Sequence, residues 1–138
     1  MGSRRQSRVL ALQILYLVDL CHMTEPEATH VICENKTSDE KMQEFCTTLT
    51  QGVVKNNQRI DELIVKFAEN WELKRMAALD RNIIRLASYE LIFETQTPIN
   101  VIIDEAVEIA KEYSTIDSGK FVNGILDKVK NERSKVAP

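Results

Sequence analysis

The first helical segment of this chain is apolar on nearly every side. Between Val9 and Leu20 the apolar run is interrupted at Gln13 and Asp19. The apolar positions follow the i, i+3, i+4, i+7 pattern of a helix and also fill the faces between them. A surface helix would keep one continuous polar face. The pattern therefore predicts a central helix that other helices contact from several sides.

Helical periodicity continues through the rest of the chain, and no segment requires a strand. Thr24 and Glu27 have the spacing of a capping box before a second helix, and Ser38 is predicted to cap a third. That third pattern fits either one long helix or two helices broken near Asn56-Asn57. Later helices are predicted at about residues 80–94, 99–113 and from 117 onward.

Length and helix number together limit the architecture. The chain has 138 residues, which is the size of one ordinary domain. About seven helices joined by short polar links predict an all-α fold of two packed helical bundles. Each half, at about residues 1–70 and 71–138, is too small to be stable alone. Residues 1–138 are therefore predicted to fold as one unit.

The residues that usually carry catalysis or bind metals are sparse. Cys21, Cys33 and Cys46 are odd in number and lack CxxC spacing, which argues against disulfides and zinc and favours small buried thiols. No phosphate-binding glycine loop or nucleophile motif occurs, and no window reaches the roughly 18 apolar residues of a membrane span. The sequence predicts a cytoplasmic protein that is not an enzyme, needs no cofactor or metal and does not enter a membrane.

Basic residues cluster at the start of a chain whose net charge is −3. Arg4, Arg5 and Arg8 precede the first acidic residue, although cations are unfavourable at the positive end of a helix dipole. A solvated helix start is the simplest interpretation, and an arm that binds phosphates is the functional one. The carboxylates of Asp104, Glu105 and Glu108 are predicted to form a solvated helix face.

The last helix combines a core face with a polar start. Asp117 is the predicted N-cap, and Ser118, Gly119 and Lys120 follow at the helix mouth, where free N–H groups suit an anion such as phosphate. Phe121 repeats at four-residue spacing with later apolar residues. It therefore fits the core as well as a binding surface.

Five stretches together carry a specific resemblance. The chain has Arg4-Arg5 before ALQILY (11–16), Trp71, DRNIIRLASYEL (80–91), VIIDEAVEIAK (101–111) and KFVNGILD (120–127). In these stretches, and over essentially its whole length, it resembles the NusB family of transcription antitermination factors. The resemblance implies an all-helical protein of two small bundles that binds the boxA element of nascent RNA.

The same resemblance implies partners and site residues. The family binds boxA jointly with the ribosomal protein also called NusE and joins the RNA polymerase antitermination complex, chiefly in ribosomal RNA operons. Some members pair with themselves, so a homodimer stays open. The NusE-facing surface is expected to include Tyr16 and Asp80. The expected RNA contacts are Arg4, Arg5, Arg8, Arg85, Tyr113, Asp117, Lys120 and Phe121.

The chemistry of single-stranded RNA gives these residues roles. Aromatic rings stack on splayed bases, carboxylates accept from base amino groups, and cations hold phosphates. Arg85, one turn before Tyr89 and Glu90, is also open to a structural ion pair, and Asp117 to a capping role alone. Two other functions remain open. One is a NusB-like accessory domain that serves an RNA methyltransferase, and the other is a protein-binding helical adaptor.

Overall fold

The computed structural model describes residues 2–36, 39–69 and 71–133, and this part of the chain is entirely helical apart from short links. The all-α prediction with about seven helices is confirmed. Two short 3-10 helices lie at Leu73–Arg75 and Lys130–Glu132. The α-helices are α1 Gly2–Leu20, α2 Glu25–Lys36, α3 Glu40–Lys55, α4 Asn57–Phe67, α5 Ala78–Phe93, α6 Ile99–Tyr113 and α7 Ile116–Val129.

Local capping explains where α2 and α3 begin. The predicted capping box is present, because the Thr24 backbone N–H donates to Glu27 Oε1 at 2.9 Å and the Glu27 N–H donates to Thr24 Oγ1 at 3.2 Å. Ser38, the predicted cap of α3, lies outside the described residues. The carboxylate of Asp39 caps α3 by accepting two backbone N–H groups of its first turn.

Helices α1 and α5 form the centre of the molecule. Helix α1 packs against α2, α3 and α5, as its nearly all-round apolar pattern predicts. Helix α5 packs against α1, α3, α4, α6 and α7, and twelve of its 16 residues are buried. Helix α4 lies against α5 and α7, and one hydrophobic cluster includes residues from all seven α-helices. The division into halves at about residue 70 stays a prediction.

The thiols only partly follow the expectation of buried free cysteines. Cys33 and Cys46 are buried, whereas Cys21 is exposed at the end of α1. Burial raises the pKa of Cys46 to about 12, so this thiol is a packing group rather than a nucleophile. Within the described ranges, no helix combines the length and apolar character that crossing a bilayer demands.

One glycine allows the close approach of α3 and α5. A Cβ on Gly52 would collide with Cζ of Tyr89, a buried ring that also stacks on Phe93 with centroids 5.4 Å apart. We expect Gly52→Ala to lower the free energy of unfolding by about 1–3 kcal/mol, because the rigid Tyr89 ring must move. Urea unfolding followed by circular dichroism measures this loss.

Gly124 provides the matched control for Gly52→Ala. It lies in α7, and a Cβ there would meet nothing within 4 Å. We expect Gly124→Ala to raise stability by about 0.5–1 kcal/mol, because alanine is the better helix former. Equal effects of the two substitutions would contradict the packing argument.

Candidate nucleic-acid interface

Two grooves are each lined in part by residues at the turn between α6 and α7. The first, here called the arm groove, has a volume of about 360 Å³ and is lined by Arg5, Val9, Gln13 and Tyr113 among others. The second, here called the Trp71 groove, has a volume of about 340 Å³ and is lined by residues that include Trp71, Asp80, Thr115, Asp117, Ser118 and Phe121. Tyr113 and Thr115 are two residues apart, so the two ends of this turn line different grooves.

A third groove lies elsewhere on the described part of the chain. Its volume is about 480 Å³, and it is lined by Asp19, Arg81 and Arg85 together with residues 72–74. Arg81 and Arg85 are both bonded to Asp19. Burial opposes ionisation of Asp19, but bonds from Arg81 and Asn82 outweigh it and lower the pKa of this carboxyl. The two arginines that line this groove are therefore already bonded within the protein.

Arg4 and Arg5, the first arginines of α1, have different surroundings. The Arg4 guanidinium carbon lies 3.8 Å from the centroid of the Phe45 ring, and the residue is exposed. This cation–π contact orients the guanidinium while leaving its edge open to solvent. Arg5 makes two bonds to Glu105, at 2.6 Å and 2.7 Å. The arm is therefore positioned on the protein surface rather than extended from it.

The Arg5–Glu105 pair ties α1 to α6 at the edge of the arm groove. The side chains retain 33% and 23% of their exposure, so the pair is accessible from solvent. The hydrogen bond with Glu105 raises the pKa of Arg5, and the same bond lowers the pKa of Glu105. The prediction of a wholly solvated carboxylate face on α6 is wrong at Glu105, because this residue binds the arm.

Arg8 does not belong to the exposed arm. It is 5% exposed, and its guanidinium donates to both carboxylate oxygens of Glu90 at 2.9 Å and 2.8 Å. Glu90 is also buried, and Glu105 Oε1 lies 3.7 Å from Arg8 Nη1. In this geometry Arg8 fixes α1 to α5 and presents no free surface to RNA, which corrects the prediction made from the arginine cluster.

Arg85 is also a structural residue. It bonds both oxygens of Asp61 at 2.8 Å and 3.0 Å and reaches Asp19 at 3.2 Å. The ion-pair alternative therefore describes Arg85, although its partners are on α1 and α4 rather than on its own helix. Asp19 is 14 residues along α1 from Arg5, about 21 Å at the rise of an α-helix. Arg85 is consequently remote from the arm.

The N-cap of α7 lies two residues earlier than predicted. Thr115 is the N-cap and accepts from the backbone N–H of Ser118, whereas Asp117 is exposed in the first turn. The Asp117 cap was a wrong prediction, although its charge still favours the positive helix end. Gly119 is buried against the stem of Lys111, so no ligand can approach its backbone. The predicted phosphate seat at the helix mouth is therefore absent.

Asp80, a residue of α5, contacts the start of α7. It is 8% exposed, and its Oδ2 accepts from Ser118 Oγ at 3.0 Å. Its other carboxylate oxygen has no partner among the described residues. This burial corrects the prediction that Asp80 presents a partner-binding surface. Its visible role is to hold the first turn of α7.

The remaining predicted residues lie at the surface around the grooves. Tyr113 is 42% exposed at the end of α6, and Lys120 is exposed on α7. Phe121 is half-buried, with one part packed against the core and another lining the Trp71 groove, so both of its expected roles fit. Tyr16 is half-buried on the α1 face that carries Gln13.

Trp71 is the site residue that sequence reasoning left without a role. Its side chain is 52% exposed and meets Phe121 edge to face, with ring centroids 5.6 Å apart and an angle of 68°. Trp71 and Phe121 are separated by 50 positions in sequence, so their contact needed the tertiary structure. The signal that the sequence offered for a role of Trp71 was a single tryptophan lying outside every predicted helix.

Comparison with known proteins identifies the family. A model of the NusB family matches residues 5–131. The chain belongs to the NusB family. The transcription antitermination protein NusB of Desulfatibacillum aliphaticivorans is 42% identical over 129 residues, which cover 94% of this chain and 90% of that protein. The corresponding NusB of Elusimicrobium minutum is 40% identical over 135 residues, which cover 96% of each.

Solved NusB structures have the same fold. The T. maritima NusB structure superposes with a TM-score of 0.87 at 42% identity, covering 94% of this chain and 91% of that one. A chain in the crystal structure of antitermination factors NusB and NusE in complex with double-stranded RNA gives a TM-score of 0.88 at 28% identity. That match covers 95% of this chain and 98% of the other. The expected NusB family and its all-helical fold are thus confirmed.

Proposed function

We propose that this chain is an RNA-binding transcription antitermination factor. It binds boxA RNA of nascent ribosomal transcripts jointly with NusE and joins the antitermination complex on RNA polymerase. In this role it is a cytoplasmic binding protein and not an enzyme. The relatives named transcription antitermination protein NusB, and the related structure that contains NusE and RNA, support this proposal.

One geometric observation carries the proposal. Arg5 and Tyr113 line the arm groove, Asp117 and Phe121 line the Trp71 groove, and the two ends of the α6–α7 turn each contribute residues to one of these grooves. This combination supplies a cation, aromatic rings and a carboxylate along one surface. Single-stranded RNA is recognised by this set of groups, because its bases are splayed and its phosphates are accessible.

The cations of this surface set the expected salt dependence. Arg4, Arg5 and Lys120 are accessible, whereas Arg8 is committed to Glu90. Three phosphate contacts at about 0.7 each give a log–log salt slope of about −2 for single strands, instead of about −3 with Arg8 included. Such a small electrostatic contribution implies weak binding by the chain alone and a strong dependence on NusE, whose contact we place at Tyr16.

A direct experiment compares a boxA-like RNA with a scrambled RNA of the same composition. Both are titrated with the chain alone and with its NusE complex at several salt concentrations, with fluorescence polarisation of labelled RNA as the readout. We expect NusE to increase the preference for boxA. Equal binding of both RNAs under every condition would exclude this function and leave the protein-binding adaptor as the better description.

Arg4→Ala tests the arm without disturbing the core. We expect RNA affinity to fall about fivefold and the salt slope to become shallower by about 0.7, because one phosphate contact is lost. Stability should change little, because Arg4 is exposed and contributes a surface cation–π contact with the Phe45 ring.

Lys55→Ala is the control of equal charge change. Lys55 is exposed in the last turn of α3, 13 residues from Met42 of the arm groove, about 20 Å along the helix. A loss of RNA affinity as large as that of Arg4→Ala would indicate a diffuse charge effect rather than contact by the arm.

A further inference from the structure

The ring of Phe45, a residue of α3, contacts the first turn of α1. The ring is half-buried and packs against the hydrophobic core, and the guanidinium carbon of Arg4 lies 3.8 Å from its centroid. Three residues after Arg4, the buried Ser7 hydroxyl donates to the backbone carbonyl of Met42 at 3.0 Å, one turn before Phe45. This bond fixes the start of α1 on α3, so the ring is held in place against Arg4.

The Phe45 ring restrains Arg4 without neutralising its charge. A carboxylate partner cancels the positive charge and competes with a phosphate for the guanidinium N–H groups, as Glu105 does at Arg5. An aromatic face carries only partial negative charge, and it contacts the plane of a guanidinium rather than its N–H edge. The Arg4 side chain is therefore ordered, while its full charge and its N–H edge face away from the ring.

Arg8 is the other cation near this ring, but its charge is already balanced. Its guanidinium carbon lies 5.5 Å from the Phe45 centroid, and the buried carboxylate of Glu90 accepts two bonds from it. Arg4 is both closer to the ring and exposed. Ordering a long exposed side chain before binding reduces the conformational entropy that it loses in a complex. The ring therefore favours Arg4 as a group that binds an anion.

We propose that Phe45 is a positioning residue for RNA binding, because its ring orients the guanidinium of Arg4 for contact with a phosphate. Phe45 acts through Arg4 and does not itself touch the RNA. This inference rests on the RNA-binding function proposed above and adds a residue of α3 to that interface. A purely structural Phe45 would affect folding and leave the affinity of the folded chain for RNA unchanged.

Replacing Phe45 by trifluorophenylalanine tests the charge of the ring at nearly constant shape. Fluorine withdraws electrons from the ring, so the cation–π attraction weakens while packing against the core is kept. We expect the affinity for a labelled boxA-like RNA to fall about threefold, the size of a surface cation–π contact. The log–log salt slope should not change, because Arg4 keeps its charge and its phosphate contact. Fluorescence polarisation at several salt concentrations measures both quantities.

A double-mutant cycle shows whether Phe45 acts through Arg4. Phe45→Leu should weaken RNA binding about threefold in the parent chain and have almost no effect in the Arg4→Ala background, because the two residues share one interaction. Phe45→Tyr keeps an aromatic face and should bind RNA as the parent chain does. A thermal melt of each variant shows whether it is folded. If Phe45→Leu does not fold, the fluorinated chain decides the question alone.

Phe93→Leu is the matched control for Phe45→Leu. Phe93 is also a half-buried ring packed against the core, and the guanidinium carbon of Arg59 lies 5.8 Å from its centroid. It ends α5, 13 residues from Asp80 of the Trp71 groove and about 20 Å away along the helix. We expect Phe93→Leu to lose stability without losing RNA affinity.

The possible outcomes separate this inference from the proposed function. If the RNA binds and neither fluorination nor Phe45→Leu changes its affinity more than Phe93→Leu does, Phe45 is a packing residue. The inference is then overturned, although the RNA-binding function stands. An equal loss from Phe45→Leu with and without Arg4 would overturn it as well. If no RNA binds even in the presence of NusE, the proposed function fails and the inference with it.

Discussion

Arg8→Ala is expected to lower the free energy of unfolding by about 3–5 kcal/mol, the usual cost of removing one partner of a buried ion pair. The substitution leaves the carboxylate of Glu90 in the core with its principal donor removed, since Glu90 is 1% exposed and both of its oxygens accept from Arg8. Urea unfolding followed by circular dichroism gives the size of the loss. Arg4→Ala, an equal change of charge one turn away, should leave the unfolding midpoint nearly unchanged.

Replacing both partners shows whether the stability lost in Arg8→Ala comes from an unpaired buried charge or from the missing packing contacts of the Arg8 side chain. Arg8→Met combined with Glu90→Leu removes both charges while keeping similar volume, so the double variant should recover most of the stability lost by Arg8→Ala. If Arg8→Ala instead kept the stability of the parent chain and lost RNA binding, Arg8 would belong to the arm and not to the core.

The sequence contained a signal for the burial of Arg8, but not for its partner. Arg8 is four and seven residues before Leu12 and Leu15, so it lies on the face of α1 that is buried. A charged residue at such a position predicts a buried ion pair. The partner, Glu90, is 82 residues away in sequence, and only the packing of α1 on α5 brings the two together. The position of Arg8 beside Arg4 and Arg5 in the sequence therefore led to the wrong prediction that it belongs to the exposed arm.

The start of α7 shows the limit of local rules. Thr115 and Asp117 are both good N-caps, and local propensity does not choose between them. The packing of Ser118 onto Asp80 decides in favour of Thr115, because it places Ser118 inside the first turn. Helix number and the bounds of α6 were predictable from periodicity, whereas the grooves depend on contacts between distant helices.

The second large effect is expected at the Arg5–Glu105 pair, where two substitutions should move RNA affinity in opposite directions. Glu105 holds the guanidinium of Arg5 with two bonds, and Glu108 and Glu112 add further negative charge nearby. A phosphate that binds Arg5 must therefore compete with a carboxylate. We expect Glu105→Gln to tighten RNA binding about tenfold and Arg5→Ala to weaken it about tenfold, each equivalent to about 1.4 kcal/mol.

The same pair also contributes to stability, so binding and folding need separate measurements. Arg5 lowers the pKa of Glu105 in the folded chain, and the pair therefore stabilises the fold above the ordinary carboxyl pKa. This contribution is lost as the pH falls through the lower folded pKa. Glu105→Gln should consequently be less stable than the parent chain at neutral pH, and the difference should shrink in acid. Thermal melts across this pH range give the stability profile independently of RNA.

Glu108→Gln is the control that separates competition from general repulsion. Glu108 lies three residues along α6 from Glu105, and its ion-pair partner is Lys111 at 3.4 Å. Glu108→Gln therefore removes the same charge as Glu105→Gln without releasing Arg5. If Glu105 acts by holding Arg5, Glu105→Gln should gain severalfold more RNA affinity than Glu108→Gln, and the gain should vanish in the Arg5→Ala background. Equal gains, or a gain that persists without Arg5, would mean that Arg5 stays bound to Glu105 in the complex. Arg5 would then hold α1 to α6 as Arg8 holds α1 to α5, and the arm would consist of Arg4 alone.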